Sequence, residues 1–285
     1  MSPSGATREE IQSHYDRGDE FYRLWLGDER IYSCASWEDG VGTLEQAQAL
    51  KIRRHLENLQ LAPHAVLLDV GCGWGALLWS ARRHFAAAVA VGLTLSETQR
   101  NAVNALGDPG IEARLESWSE HRPERAYDGI VSIGAFEHFA RPEHTPAQRA
   151  SIYSDFFRRC RAWLRPGGRL SLQTIAYGAL APAQPHPFMQ SAIFQGSDLP
   201  KPQEVLTAAG PHLEVVAVRN DAGHYARTCE TWLRNLQRRR REASALTDAD
   251  TVTTYERYLR LSAMGFRTGR LVLLRLVLRS AARKA

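Results

Sequence analysis

The apolar positions open with Ile11, Tyr15, Phe21, Tyr22, Leu24, Trp25 and Leu26, a helix-like stripe broken by Gly18 and Gly27. A second helix is predicted from Thr43, whose partner three residues on, Gln46, completes a capping box; Ala and Leu follow at helical spacing to Leu61, with Pro63 as the stop. The pattern then changes to short apolar runs alternating with helical stretches. Strands are predicted at 65–70, 87–95, 111–117, 127–133 and 169–175, with helices after the first two, from near residue 76 and near Ser96, and a long one over 147–163. Such alternation specifies a parallel sheet with helices on both faces. Residues 176–210, rich in Pro, break the rhythm and read as a cap inserted over a site. Runs at 213–221 and 271–278 supply two closing strands, with helix between them from about 226 to 261. The predicted organisation is an N-terminal helical lid region over 1–62, a Rossmann-like core over 63–175, and cap, helices and closing strands of the same domain over 176–285.

One turn carries a chemical signature. LLDVGCGWGALL at 67–78 sets Asp69 at a strand end and Gly71, Gly73 and Gly75 at alternate positions after it. Glycine lets the backbone take positive φ and approach a ligand closely, at the strand ends where open α/β sheets bind ligands. Dinucleotide turns space their glycines G-x-G-x-x-G; the G-x-G-x-G here resembles class I S-adenosylmethionine (SAM) methyltransferases, which implies a seven-stranded α/β sheet and SAM as cofactor. After the second strand, where an acid commonly holds a ribose, the chain has GLTLSETQR at 92–100, leaving Thr94 and Gln99 as polar contacts and Glu97 as a weaker one.

Composition narrows the setting. Four scattered Cys without a C-x-x-C pair argue against a zinc ribbon or disulfide framework and suit a reducing cytoplasm. The most apolar run, 271–278, is short and holds Arg275, so no transmembrane segment is predicted. No ligand-spaced cluster suggests a metal. From Arg257 onward there are seven Arg, one Lys and no acid, and Arg238 to Arg241 form a run of four. This is a solvated basic face or an attractor for an anionic carrier, phospholipid or diphosphate, and charge alone does not separate these. No nucleic-acid partner is expected, and an amphipathic start outside the sheet leaves a homo-oligomer open beside a lid.

The segments at 14–26, 31–39, 43–51, 67–75, 92–99, 130–139 and 224–232 together resemble the cyclopropane fatty acid synthase and mycolic acid methyltransferase superfamily over nearly the whole chain. The resemblance implies that Tyr32 and Ser33 close over the methionine part of SAM, that Gly71, Gly73 and Trp74 line it, that Thr94, Leu95 and Gln99 hold the ribose, and that Trp118 flanks the adenine. It further implies that an alkene carbon attacks the SAM methyl and leaves a carbocation, so the protein must offer negative charge and π-faces without a trapping nucleophile. Glu137 is the foremost catalytic candidate, beside His138 and the aromatics Tyr22, Tyr177 and Tyr225; Phe136, Tyr15, Phe188, Phe194 and Tyr255 are further ring candidates. The family's bicarbonate pocket of Cys, Glu, His, Ile and Tyr is matched by Cys34, Glu137 and Ile175, but Gln173 stands for the His, and the pocket Tyr is expected to be missing or shifted, with Tyr258 the nearest substitute. These departures favour methylation of an alkene carbon of an isoprenoid or other apolar, prenylated or anionic small molecule without ring closure, in secondary metabolism. Cyclopropanation or methylation of an acyl chain, and N-methylation of a small amine, remain the alternatives.

Overall fold

A computed structural model describes residues 18–180 and 198–281. The strands are β1 (Val66–Val70), β2 (Val89–Thr94), β3 (Ile111–Leu115), β4 (Tyr127–Ile133), β5 (Leu164–Tyr177), β6 (Glu214–Asn220) and β7 (Leu271–Arg279). They form one sheet in the order β3-β2-β1-β4-β5-β7-β6. The first five run parallel, and β7 is antiparallel to both β5 and β6. β1 is buried along its whole length between two helical layers, Asp69 included.

Strand alternation divides the core. Leu67 and Val131 face one layer, where they meet Ile52, Leu56 and Leu59 of α2 (Leu44–Leu59) and Leu77 and Ala81 of α3 (Ala76–His84). Leu68, Val70 and Ile130 face the other, packed on Phe156 and Phe157 of α5 (Pro146–Trp163). α4 (Glu97–Asn104) follows β2, capped by Ser96. The Thr43–Gln46 capping box of α2 forms, but the helix stops before Pro63: Gln60 takes the left-handed conformation at φ 53 and closes the end.

Two readings change. β5 begins at Leu164, ahead of the strand expected at 169–175, and its pairing with β4 shifts register between Tyr127 and Gly129. Of the expected cap, α6 (Pro202–Ala209) packs Val205, Ala208 and Ala209 into the core layer of α5, while Leu199 packs against the aromatic cluster described below. Residues 181–197 of that cap, with Phe188 and Phe194, and the start of the N-terminal stripe, with Ile11 and Tyr15, lie outside the described residues. A second, aromatic core joins α1 (Asp19–Leu26) to α7 (Ala222–Arg238), α8 (Arg240–Leu246) and α9 (Ala249–Arg267), with Tyr22, Trp25, Trp232, Tyr255 and Tyr258 at its centre.

Candidate functional site

The glycine turn follows β1, next to the point where strand order reverses between β1 and β4. Gly71, Gly73 and Gly75 all have positive φ, at 85, 53 and 84°. A Cβ on Gly71 would stand 2.7 Å from that of Ala135, whereas at Gly73 it would meet nothing within 4 Å, so the backbone is bare toward the cleft there. Of the residues expected around the cofactor, Tyr32, Asp69, Gly71, Gly73, Trp74, Thr94, Leu95, Gln99 and Trp118 all line this one cleft. Ser33 does not; its hydroxyl accepts from Lys51 Nζ at 2.9 Å, and Lys51 lines the cleft in its place. Glu97 pairs with Arg100 on the exposed face of α4, away from the cleft.

The donor set suits SAM. Asp69 is buried, and its Oδ1 has no hydrogen-bond partner among the described residues, an acceptor waiting for a donor. Burial raises its pKa, opposed by Lys51, while burial and then Arg275 lower that of Lys51. Thr94 Oγ1 donates to Gln99 Oε1 at 2.7 Å, fixing a neutral polar pair where ribose hydroxyls would lie. Trp118 is held against Phe139 and Phe156, ring centroids 4.9 and 5.4 Å away.

Glu137 sits in a 3-10 turn, Phe136–His138, at the end of β4. Its carboxylate accepts from Ile175 N at 3.0 Å and Thr174 Oγ1 at 3.1 Å, yet burial outweighs both and pushes its pKa up to about 7. His138 turns the other way and lines the cleft, with its pKa pushed down to about 4 by burial. Tyr22 donates to or accepts from Tyr255 across 2.9 Å between hydroxyls, and its ring lies 6.0 Å from Trp74, so the aromatic core borders the cleft. Tyr177 is engaged elsewhere, since its hydroxyl donates to Asp198, which is ion-paired with Arg149. Phe136 stacks on Tyr153 at 4.7 Å in the main core.

A tyrosine on another helix lies close to Cys34 and Glu137. Tyr225, on α7 and stacked on Phe266 at 4.4 Å, lies within electrostatic reach of Cys34, Glu137 and Tyr258, and burial together with these holds its pKa well above the usual phenol value. Gln173 is the remaining departure, and it is tightly held: its Oε1 accepts from Arg275 Nε at 2.9 Å and faces His55 Nε2 at 3.5 Å. Arg275 also donates to Asp221 at 2.7 Å and to Ala35 O at 3.1 Å, and its Nη2 lies 3.7 Å from Cys34 Sγ. Gln173 Nε2 has no acceptor among the described residues. Lys51, His55 and Arg275 were not singled out from sequence. The first two had a signal: they stand four apart on the apolar stripe of α2, where a polar pair must face the sheet.

The model of the mycolic acid cyclopropane synthetase family matches residues 4–276. Cyclopropane mycolic acid synthase MmaA2 of Mycobacterium tuberculosis is 35% identical over 279 residues, covering 92% of this chain and 93% of that protein. Cyclopropane mycolic acid synthase 1 of the same organism is 36% identical over 281 residues, covering 91% and 92%. The structure of mycolic acid cyclopropane synthase CmaA1 complexed with SAH and CTAB superposes with a TM-score of 0.86 at 32% identity, over 96% of this chain and 99% of that one. A glycine turn and donor set that fit SAM, on a sheet shared with these proteins, agree with that match over nearly the whole chain. The protein belongs to the mycolic acid cyclopropane synthetase family and is a SAM-dependent methyltransferase.

Proposed function

We propose that the enzyme transfers the SAM methyl group to an alkene carbon of a lipid-like chain and closes a cyclopropane. The alkene π pair forms the new C–C bond, the C–S bond breaks to release S-adenosylhomocysteine, and the cation left on the neighbouring carbon closes the ring as the new methyl group loses a proton. Gly71, Gly73, Tyr32 and Trp74 hold the methionine part of SAM, Asp69 accepts from its ammonium group, Thr94, Leu95 and Gln99 hold the ribose, and Trp118 flanks the adenine. Tyr22, Tyr225, Tyr255 and Trp25 of the aromatic core offer π-faces to the cation. The observation that carries this reading is the gathering of Cys34, Glu137, Ile175 and Tyr225 behind the cleft. Family likeness implies bicarbonate there as proton acceptor; Glu137, Tyr225 and the amide nitrogen of Gln173 would hold it. The cyclopropane-forming relatives support the acyl-type acceptor ahead of the isoprenoid expected from sequence.

Gln173 itself favours a second reading, methylation without ring closure, because an amide cannot relay a proton as an imidazole can. One experiment separates the two. The enzyme is incubated with SAM bearing a trideuterated methyl and a panel of cis-unsaturated acyl lipids, prenyl compounds and aromatic amines. A product retaining two deuteriums per added carbon supports the cyclopropane; three deuteriums with a surviving double bond support open methylation. Transfer confined to amines overturns both.

A further inference from the structure

The positive charge of this chain is concentrated in one place. Residues 222–270 contain ten Arg against five acids, a net of +5; the whole chain is also +5, so everything outside this segment sums to zero. The segment is α7, α8 and α9. Arg267 at the end of α9 pairs with Glu230 midway along α7, and Arg240 at the start of α8 pairs with Glu256 of α9. The inner faces of α7 and α9 supply Tyr225, Trp232, Tyr255 and Phe266 to the aromatic core.

The outer face of α9 carries Arg257, Arg260, Met264 and Arg267, all exposed and spaced three or four apart, so they form one stripe about 15 Å long. Met264, inside that stripe, is 51% exposed. Past the helix end, Leu180 donates its backbone N–H to Gly269 O at 3.4 Å and is 68% exposed, and Arg270 stands beside it. Arg260 and Arg270, like Arg234 and Arg238 on α7, have no carboxylate within ion-pair distance among the described residues. Leu180 lies three residues beyond Tyr177, the end of β5, the strand that supplies Ile175 to the aromatic core.

We propose that this stripe is a docking surface for an anionic phospholipid bilayer. Its chemistry matches a flat anionic interface: guanidinium groups at headgroup depth flank two large apolar side chains that can enter the acyl boundary. No described helix is long and apolar enough to cross a membrane, so the protein lies on the surface. The stripe is the outer side of a helix whose inner side packs into the aromatic core, which brings the bilayer next to the proposed site of a lipid acceptor. The purpose of docking rests on the lipid-acceptor reading; the docking itself is measured without turnover.

The test is flotation of the full chain with phosphatidylglycerol–phosphatidylcholine vesicles and with pure phosphatidylcholine vesicles at low and high salt. Binding confined to the anionic vesicles, weakened by salt, and reduced at least about tenfold in Arg257→Glu/Arg260→Glu is the expected result. Met264→Asp is expected to weaken binding with the salt dependence kept. A charge-matched control, Arg53→Glu/Arg158→Glu on exposed sites of α2 and α5, is expected to bind like the parent. Equal binding to both vesicles, equal loss in the control, or no vesicle binding alongside capture of an acidic acyl carrier protein overturns the proposal. Turnover of a detergent-solubilised unsaturated lipid, assayed in parallel, stays at the parent level in the stripe variants; its absence in the parent would count against the acceptor reading and leave the docking result standing.

Discussion

Glu137→Gln tests whether a carboxyl is kept buried for function at the expense of stability. The folded protein holds the Glu137 proton more tightly than the unfolded chain does, with a pKa raised from 4.5 to about 7 chiefly by burial. Between those values the native state therefore binds more protons, and stability falls as pH rises through that window. At about 1.4 kcal/mol per pH unit, the full cost above pH 7 is about 3 kcal/mol. Glutamine removes that cost and gives up part of the pairing with Ile175 N and Thr174 Oγ1, about 1 kcal/mol. The variant should be about 2 kcal/mol more stable than the parent at pH 8 and about 1 kcal/mol less stable at pH 4. At an unfolding entropy of about 2.1 cal/mol/K per residue, the gain at pH 8 corresponds to a Tm higher by about 3 °C. Turnover should fall by about 100-fold or more, since the carboxylate proposed to hold the proton acceptor loses its charge. Scanning calorimetry of both proteins from pH 4 to 8, with initial rates alongside, is the assay. A Tm difference that does not change with pH would refute the assigned burial cost, and turnover within a few-fold of the parent would refute the catalytic role.

Arg275→Gln leaves the buried Asp221 without its closer cation and should lower stability by about 3 kcal/mol; adding Asp221→Asn should recover much of it in calorimetry, and a double variant no more stable than the single one would show that the pairing is not the cause. Gly71→Ala places a side chain at φ 85° and 2.7 Å from Ala135 Cβ, so SAM affinity by titration calorimetry should drop at least about tenfold; unchanged affinity would move the cofactor away from this turn. In Tyr22→Phe the hydroxyl contact with Tyr255 is lost while the ring stays, so SAM affinity should hold and stability should fall by about 1 kcal/mol; a larger loss of SAM affinity would give Tyr22 a direct part in cofactor binding.

What could be read from sequence was local or periodic. The alternation of apolar runs foretold the sheet, the Thr43 capping box was legible because both partners lie within one turn, and the glycine turn announced its own positive φ. Tertiary placement escaped. Arg275 looked like an interruption in an apolar run; opposite Gln173 in the β5–β7 register it becomes a pocket residue, and nothing nearer in the chain than Asp221 reveals that. The tyrosine-rich segment of α9 points to Tyr258, whereas Tyr225 comes near Cys34 and Glu137 from α7, the adjoining helix. Tyr177 and Phe136 were chosen for closeness in sequence to the site, but strand direction and a turn send them to an ion-pair clamp and to the main core. Gln60 stopped α2 early because a left-handed residue ends a helix as well as proline does, without a compositional mark.

The position of β7 bears on how the protein comes into being on the ribosome. It is the last of the described strands, yet it lies inside the sheet: β6, made earlier, has no neighbour to pair with until β7 slots between it and β5. Arg275 arrives with that strand, after Cys34, Ala35, Gln173 and Asp221 have all been synthesised. A chain that ends before β7 lacks Arg275 and leaves β6 without a partner among the described strands, so the network of Gln173, Arg275 and Asp221 closes only once that strand has been made.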